Sequence, residues 1–164
     1  MIRPLALLSV LGLGLASCGP AGSSTAPAAP PRPEPSPVEK AAILAALPAP
    51  YDAGDLDNGR RVFARCRSCH TITEGGPNMT GPNLWGIFGR TAGSHAGYNY
   101  SSPVKAAGFA WDADRLDHWL QNPRTFLPGN KMTFPGLPNP TDRRDVIAFL
   151  KTETGYAPAE TPGS

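Results

Sequence analysis

Cys66-Arg67-Ser68-Cys69-His70 is the stretch on which the reading of this 164-residue chain turns. Two cysteines three apart, with histidine directly after the second, make the pentapeptide pattern of covalent haem attachment. The spacing follows from the chemistry. Each thiol adds across one vinyl group and fixes the porphyrin edge to the backbone, and the adjacent imidazole is held beneath the iron as its proximal ligand. A bare C-x-x-C is ambiguous between a redox dithiol, half a zinc site and haem; His70 narrows the choice.

Upstream, the chain opens with Arg3, an apolar run from Leu5 to Leu15 and then Leu15-Ala16-Ser17-Cys18. The run is too short to span a bilayer and has the pattern of a signal-peptide core. Small residues just before Cys18 resemble the lipobox of bacterial lipoproteins. The resemblance implies cleavage of residues 1–17 and diacylation of Cys18, with two or more acyl chains giving a stable anchor. The alternative is an ordinary secretory signal with Cys18 incidental. Three cysteines leave one over if a disulfide is assumed, and none if Cys18 carries lipid while Cys66 and Cys69 hold haem.

Residues 18–50 are rich in Pro, Ala and Ser and have no aromatic side chain. Such a segment buries too little apolar surface to repay its ordering entropy and is expected to be a flexible, extended tether. Within it, Val38 to Leu47 has helix-forming residues stopped by Pro48. It is read as a nascent turn in the linker, with a docking helix as the alternative.

The folded domain is placed at 51–155, with a disordered tail at 156–164. Asp55 to Cys66 has helical spacing, with Leu56, Val62 and Phe63 on one stripe. Gly59 inside it implies a close approach, since glycine in a helix costs about 1 kcal/mol relative to alanine. A second helix is expected from Asp112 to Gln121, and a third from Thr141 to Thr152 with Thr141 as the capping candidate. Glycines and prolines fill the intervals, and little reads as strand. The expected class is all-α, small and loop-rich, with N-terminal, middle and C-terminal helices around one covalent haem whose apolar mass completes a thin core.

The blocks after Cys66 to His70 carry a family resemblance. Thr80-Gly81-Pro82-Asn83-Leu84, Gly89-Arg90, Gly97-Tyr98-Asn99-Tyr100, Trp111, Leu120, Asn122-Pro123 and the run from Pro128 to Gly136 follow in order. From about Asp55 to Thr154 the chain resembles a class I cytochrome c of the mitochondrial and c2 type. The resemblance implies Met132 as the second axial ligand of iron opposite His70, and a neutral thioether there raises the reduction potential. It also implies that the Pro82 carbonyl accepts the other ring N–H of His70. Arg90, Tyr98, Tyr100 and Trp111 would surround the haem propionates, and Phe134 would shield the exposed side of the haem. Met79 is the competing sulfur, expected to be exposed or edge-packed; His95 and His118 are expected to be ordinary polar residues. Three positions depart from the pattern. Trp119 stands where a tyrosine often bonds the methionine sulfur, Asn130 where a threonine contacts a propionate, and Asn78 where a histidine braces a loop.

The implied function is single-electron transfer at the periplasmic face of a bacterial membrane, from a donor such as a cytochrome bc complex to a terminal oxidase. Two other readings share the motif: a haem peroxidase or ligand sensor with a labile Met132, and an electron-accepting subunit of a periplasmic dehydrogenase. Around the haem edge Arg65, Arg124 and Lys131 keep part of a cationic ring that Thr125, Pro138 and Asn139 do not complete. Over 52–155, twelve Lys and Arg face ten Asp and Glu, so long-range steering of partners is weak. No basic cluster of nucleic-acid type is present.

Overall fold

The computed structural model describes residues 34–155. The lipobox-like stretch, Cys18, the first part of the tether and the tail from 156 lie outside the described residues. Among those described, the regular structure is helical: α1 (Pro37–Ala45), a 3-10 turn (Tyr51–Ala53), α2 (Leu56–Phe63), α3 (Ser102–Lys105), α4 (Ala113–Gln121), α5 (Pro123–Phe126) and α6 (Pro140–Glu153). One isolated antiparallel bridge joins Thr91 and Ala110. The all-helical class with a terminal helix pair is as expected.

The crossing of α2 and α6 sets the frame. Asp55 caps α2, its carboxylate accepting from the amides of Asp57 and Asn58 at 2.9 and 3.0 Å. Gly59 lies at the contact: a Cβ there would fall 2.2 Å from the Asp145 carbonyl and 2.6 Å from the Phe149 Cβ. Only a residue without a Cβ lets the two backbones approach this closely. Phe63 and Phe149 pack with ring centroids 5.5 Å apart. Asp145, 1% exposed, accepts from the Asp55 amide (3.0 Å), the Asn58 side chain (2.8 Å) and Arg144 (2.7 Å), which ties the two helices together. Burial opposes ionisation of Asp145, yet these bonds outweigh it and hold the carboxyl below the usual range.

The cap of α6 is Asn139, not Thr141. Its side chain accepts from the Thr141 amide at 3.0 Å, and Pro140 takes the first helical position, where its missing N–H costs nothing. Next to α6, α4 is capped by Asp112 and buries Leu116 and Leu120. Arg143 on α6 pairs with Asp117 on α4 at 2.9 Å and donates to the Leu137 and Pro138 carbonyls. The Leu137 amide in turn donates to the Leu120 carbonyl at 2.7 Å. These bonds pin the end of the 127–139 loop, the segment that carries Met132 and Phe134.

Residues 37–45 correct the expectation of a linker turn. They form a helix with a complete capping box: the Ser36 hydroxyl accepts from the Glu39 amide, and the Ser36 amide donates to the Glu39 carboxylate at 2.7 Å. The helix is docked. Ile43 is 1% exposed, Leu47 and Tyr51 join the main core, and Lys40 pairs with Glu153 on α6 at 3.2 Å. Alanine-rich sequence gives the helix its propensity, but the burial of Ile43 and Leu47 keeps it on the domain.

Candidate haem-binding site

Past Phe63 the chain continues in helical turns. The Cys66 carbonyl accepts from the amides of Cys69 and His70 at 3.0 and 2.9 Å, so the pentapeptide is a turn extending from α2. Both thiols are half-buried and unbridged. Burial pushes the Cys66 thiol up to about 11, aided by Cys69 and opposed by Arg65. A thiol so disposed is neutral at pH 7. The haem-attachment role rests on the spacing of Cys66, Cys69 and His70.

His70 has a defined tautomer. Its Nδ1 lies 2.7 Å from the Pro82 carbonyl, which can only accept, so Nδ1 carries the hydrogen. Burial holds the imidazole below its usual range against the opposing pull of that bond, so the ring is neutral and Nε2 keeps its lone pair. Gly81 makes room for the ring: a Cβ there would sit 2.3 Å from His70 Cε1.

Asn83, buried to 1% exposure, organises this loop. Its Nδ2 donates to Thr71 Oγ1 (2.7 Å) and to the carbonyls of Thr73 and Gly76, while its Oδ1 accepts from the Trp85 amide at 2.6 Å. No sequence motif marks Asn83 for this role. Asn78 does brace loops, as a histidine would: its Oδ1 accepts from the Asn83 amide and its Nδ2 donates to the Ala96 carbonyl at 3.2 Å. Met79 is 46% exposed.

Arg90, Tyr98, Tyr100 and Trp111 are brought together in part. The Trp111 amide donates to the Arg90 carbonyl at 2.9 Å, and Tyr98 meets Tyr100 edge-on at 4.7 Å. Three of the five Arg90 donors are engaged, by the Trp85 and Asn83 carbonyls and by His95 Nδ1, each at 3.0 Å. His95 is therefore tied to this cluster, and burial and the guanidinium hold its pKa down. The Tyr98 hydroxyl gives its hydrogen to the Thr80 carbonyl at 2.6 Å, so Tyr98 bridges loops and has none left for a carboxylate. Tyr100 is held protonated by burial, with Arg90 opposing. Trp111 packs edge-on against Phe109 (4.9 Å) and Trp119 (5.6 Å).

Nothing in the sequence marks Ser101. It occupies the N-cap position of α3 but makes no capping bond, and its enclosed hydroxyl has no partner among the described residues. A buried unpaired hydroxyl is costly, and a carboxylate oxygen satisfies it. Met132 and Phe134 are half-buried on the 127–139 loop. Asn130 does not reach for a carboxylate: it accepts from the Met132 amide and donates to the Pro123 and Leu127 carbonyls. The spacing of Cys66, Cys69 and His70, a neutral imidazole whose Nε2 keeps its lone pair, a partnerless Ser101 hydroxyl next in sequence to Tyr100 and partly buried apolar side chains against the core (Ile72, Leu84, Trp119, Leu127, Phe134) suit a haem.

Comparison with known proteins agrees. The family model for cytochrome c matches residues 56–154. Cytochrome c of Guizotia abyssinica is 46% identical over 103 residues, covering 62% of this chain and 93% of that protein. Cytochrome c of Arabidopsis thaliana is 47% identical over 102 residues (62% and 91%). Cytochrome c2 of Rhodomicrobium vannielii is 46% identical over 105 residues (64% and 84%). With its haem-attachment turn, helix pair and matched length, the chain belongs to the cytochrome c family.

Proposed function

We propose that this protein is a membrane-tethered periplasmic carrier passing single electrons between respiratory complexes. Its family membership makes it an electron carrier with covalent haem c, and not an enzyme. Bound haem supplies a one-electron ferrous–ferric couple. Cys66 and Cys69 would hold it covalently, and His70 and Met132 would be the axial ligands. The observation that carries this is the 2.7 Å bond from His70 Nδ1 to the Pro82 carbonyl, which orients the ring and strengthens donation from Nε2. The Asn83 hub and the pinned 127–139 loop hold both flanks rigid, so little rearranges when the charge changes. Tyr100, Ser101 and Arg90 would receive the carboxylates, with Trp111 packing beside them. Phe134 would exclude water from the open side.

The tether and the compartment rest on the lipobox-like Leu15 to Cys18 and on the charge balance of the domain. Confinement to a membrane gives a high effective concentration without strong attraction. A cytochrome bc complex as donor and a terminal oxidase as acceptor fit a carrier so placed. With α1 docked on the domain, residues 37–45 and Leu47 are not part of the proposed tether.

The ferric, haem-loaded protein at neutral pH is the test. A weak near-red charge-transfer band that survives peroxide and disappears in Met132→Ala supports the reading. A wild type without that band has no sulfur on iron, and the axial role of Met132 falls.

A further inference from the structure

We propose that Asn130 is the residue that positions Met132, and that its side-chain amide keeps the methionine from leaving the iron. The proposal rests on the axial role of Met132 given above. Between Phe126 and Pro140 the chain has no helix, and Gly129 turns it through a positive φ of 82°. Such a segment has few backbone bonds of its own to hold a side chain in place.

Asn130 supplies them. Its Nδ2 donates to the carbonyls of Pro123 and Leu127, both at 2.8 Å, and its Oδ1 accepts from the Met132 amide at 2.8 Å. The Asn130 amide also donates to the Leu127 carbonyl at 3.1 Å. Two carbonyls and one N–H leave a single orientation for the side-chain amide. Pro123 opens α5, and its carbonyl also accepts from the Leu127 amide at 3.1 Å. Helix, loop and the peptide plane before Met132 are thus closed into one unit by one side chain. Holding that plane limits the directions in which the Met132 side chain leaves the backbone.

An amide has the two donors and the acceptor that this needs on one short stem. Aspartate keeps an acceptor for Met132 but turns oxygen toward two carbonyl oxygens. Threonine has one donor. The neighbouring Lys131 side chain is engaged elsewhere, donating to the Asn99 carbonyl at 2.9 Å, away from this clamp.

The experiment is an imidazole titration of the ferric, haem-loaded full chain, read with the near-red band, for wild type, Asn130→Asp and Asn130→Thr. Imidazole competes with methionine for iron, so its apparent affinity reports how firmly the sulfur is held. Both variants are expected to bind imidazole about tenfold more tightly or better, for the loss of two charge-free hydrogen bonds, with a weakened band and unchanged far-ultraviolet circular dichroism. Ile43→Ala, which loosens the fold at the distant α1, is the control and should leave imidazole affinity unchanged. Wild-type affinity in both Asn130 variants overturns the proposal, as does equal tightening in Ile43→Ala, which would trace the effect to global stability. A wild type without the band sinks the axial reading of Met132 itself, a distinct failure.

Discussion

His70 shows how much of a site one residue's surroundings decide. The motif makes it a candidate ligand, but the Pro82 carbonyl chooses its tautomer, and Gly81 gives the ring its place against the backbone. Ser101 is the counterpart that the motif does not name. A serine at an N-cap ordinarily accepts from its own helix, and this one does not. If its hydroxyl meets a haem carboxylate, Ser101→Ala in the loaded protein loses about 1–2 kcal/mol, read from chemical denaturation. Equal or greater stability in the variant would mean that the hydroxyl is simply an unpaired group. Tyr98 and Asn130 make the same point from the other side. Tyr98, expected beside the propionates, and Asn130, in the place of a threonine that contacts one, both spend their hydrogens on backbone carbonyls, because loops without strands must satisfy their polar groups with side chains.

Among the elements, α2, α4 and α6 were legible from apolar spacing; α4 and α6 lie within a residue of where that spacing puts them, and α2 ends three residues before the expected Cys66. The glycine at 59 was legible as a close approach, and its partner, Asp145 to Phe149 on α6, was not. α1 is the instructive difference. Ser36-Pro37-Val38-Glu39 is a capping-box sequence readable in advance, yet a short helix in a proline-rich segment is marginal alone. Ile43 at 1% exposure supplies what propensity lacks. Ile43→Ala should therefore cost about 2–4 kcal/mol in the denaturation midpoint of the holoprotein, while removing residues through 35 changes it little. An Ile43→Ala protein of wild-type stability would mean that α1 is only loosely held.

The whole domain carries nearly balanced charge, and two of its ion pairs tie helices to one another: Lys40 with Glu153 and Asp117 with Arg143. Weak net charge means weak steering. Oxidation of the reduced protein by membranes is expected to change by less than about tenfold between low and high ionic strength, measured at fixed protein concentration. A steep fall with salt would reveal a focused cationic face and remove the case for confinement in place of attraction.

Local chemistry alone determined the haem-attachment turn, the helix registers and the family, because bond-forming residues and the 3.6-residue period are written in neighbouring positions. The spacing of Cys66, Cys69 and His70 needs no other part of the chain to be read. Tertiary structure decided which hydrogen bonds the polar side chains make. Arg90 with His95, Asn83 with three loop partners, Asn130 with α5 and Met132, and α1 on α6 each depend on how the loops and helices fold back on one another. A polar group is satisfied by whatever partner the packed core brings within about 3 Å, and no local pattern encodes that partner.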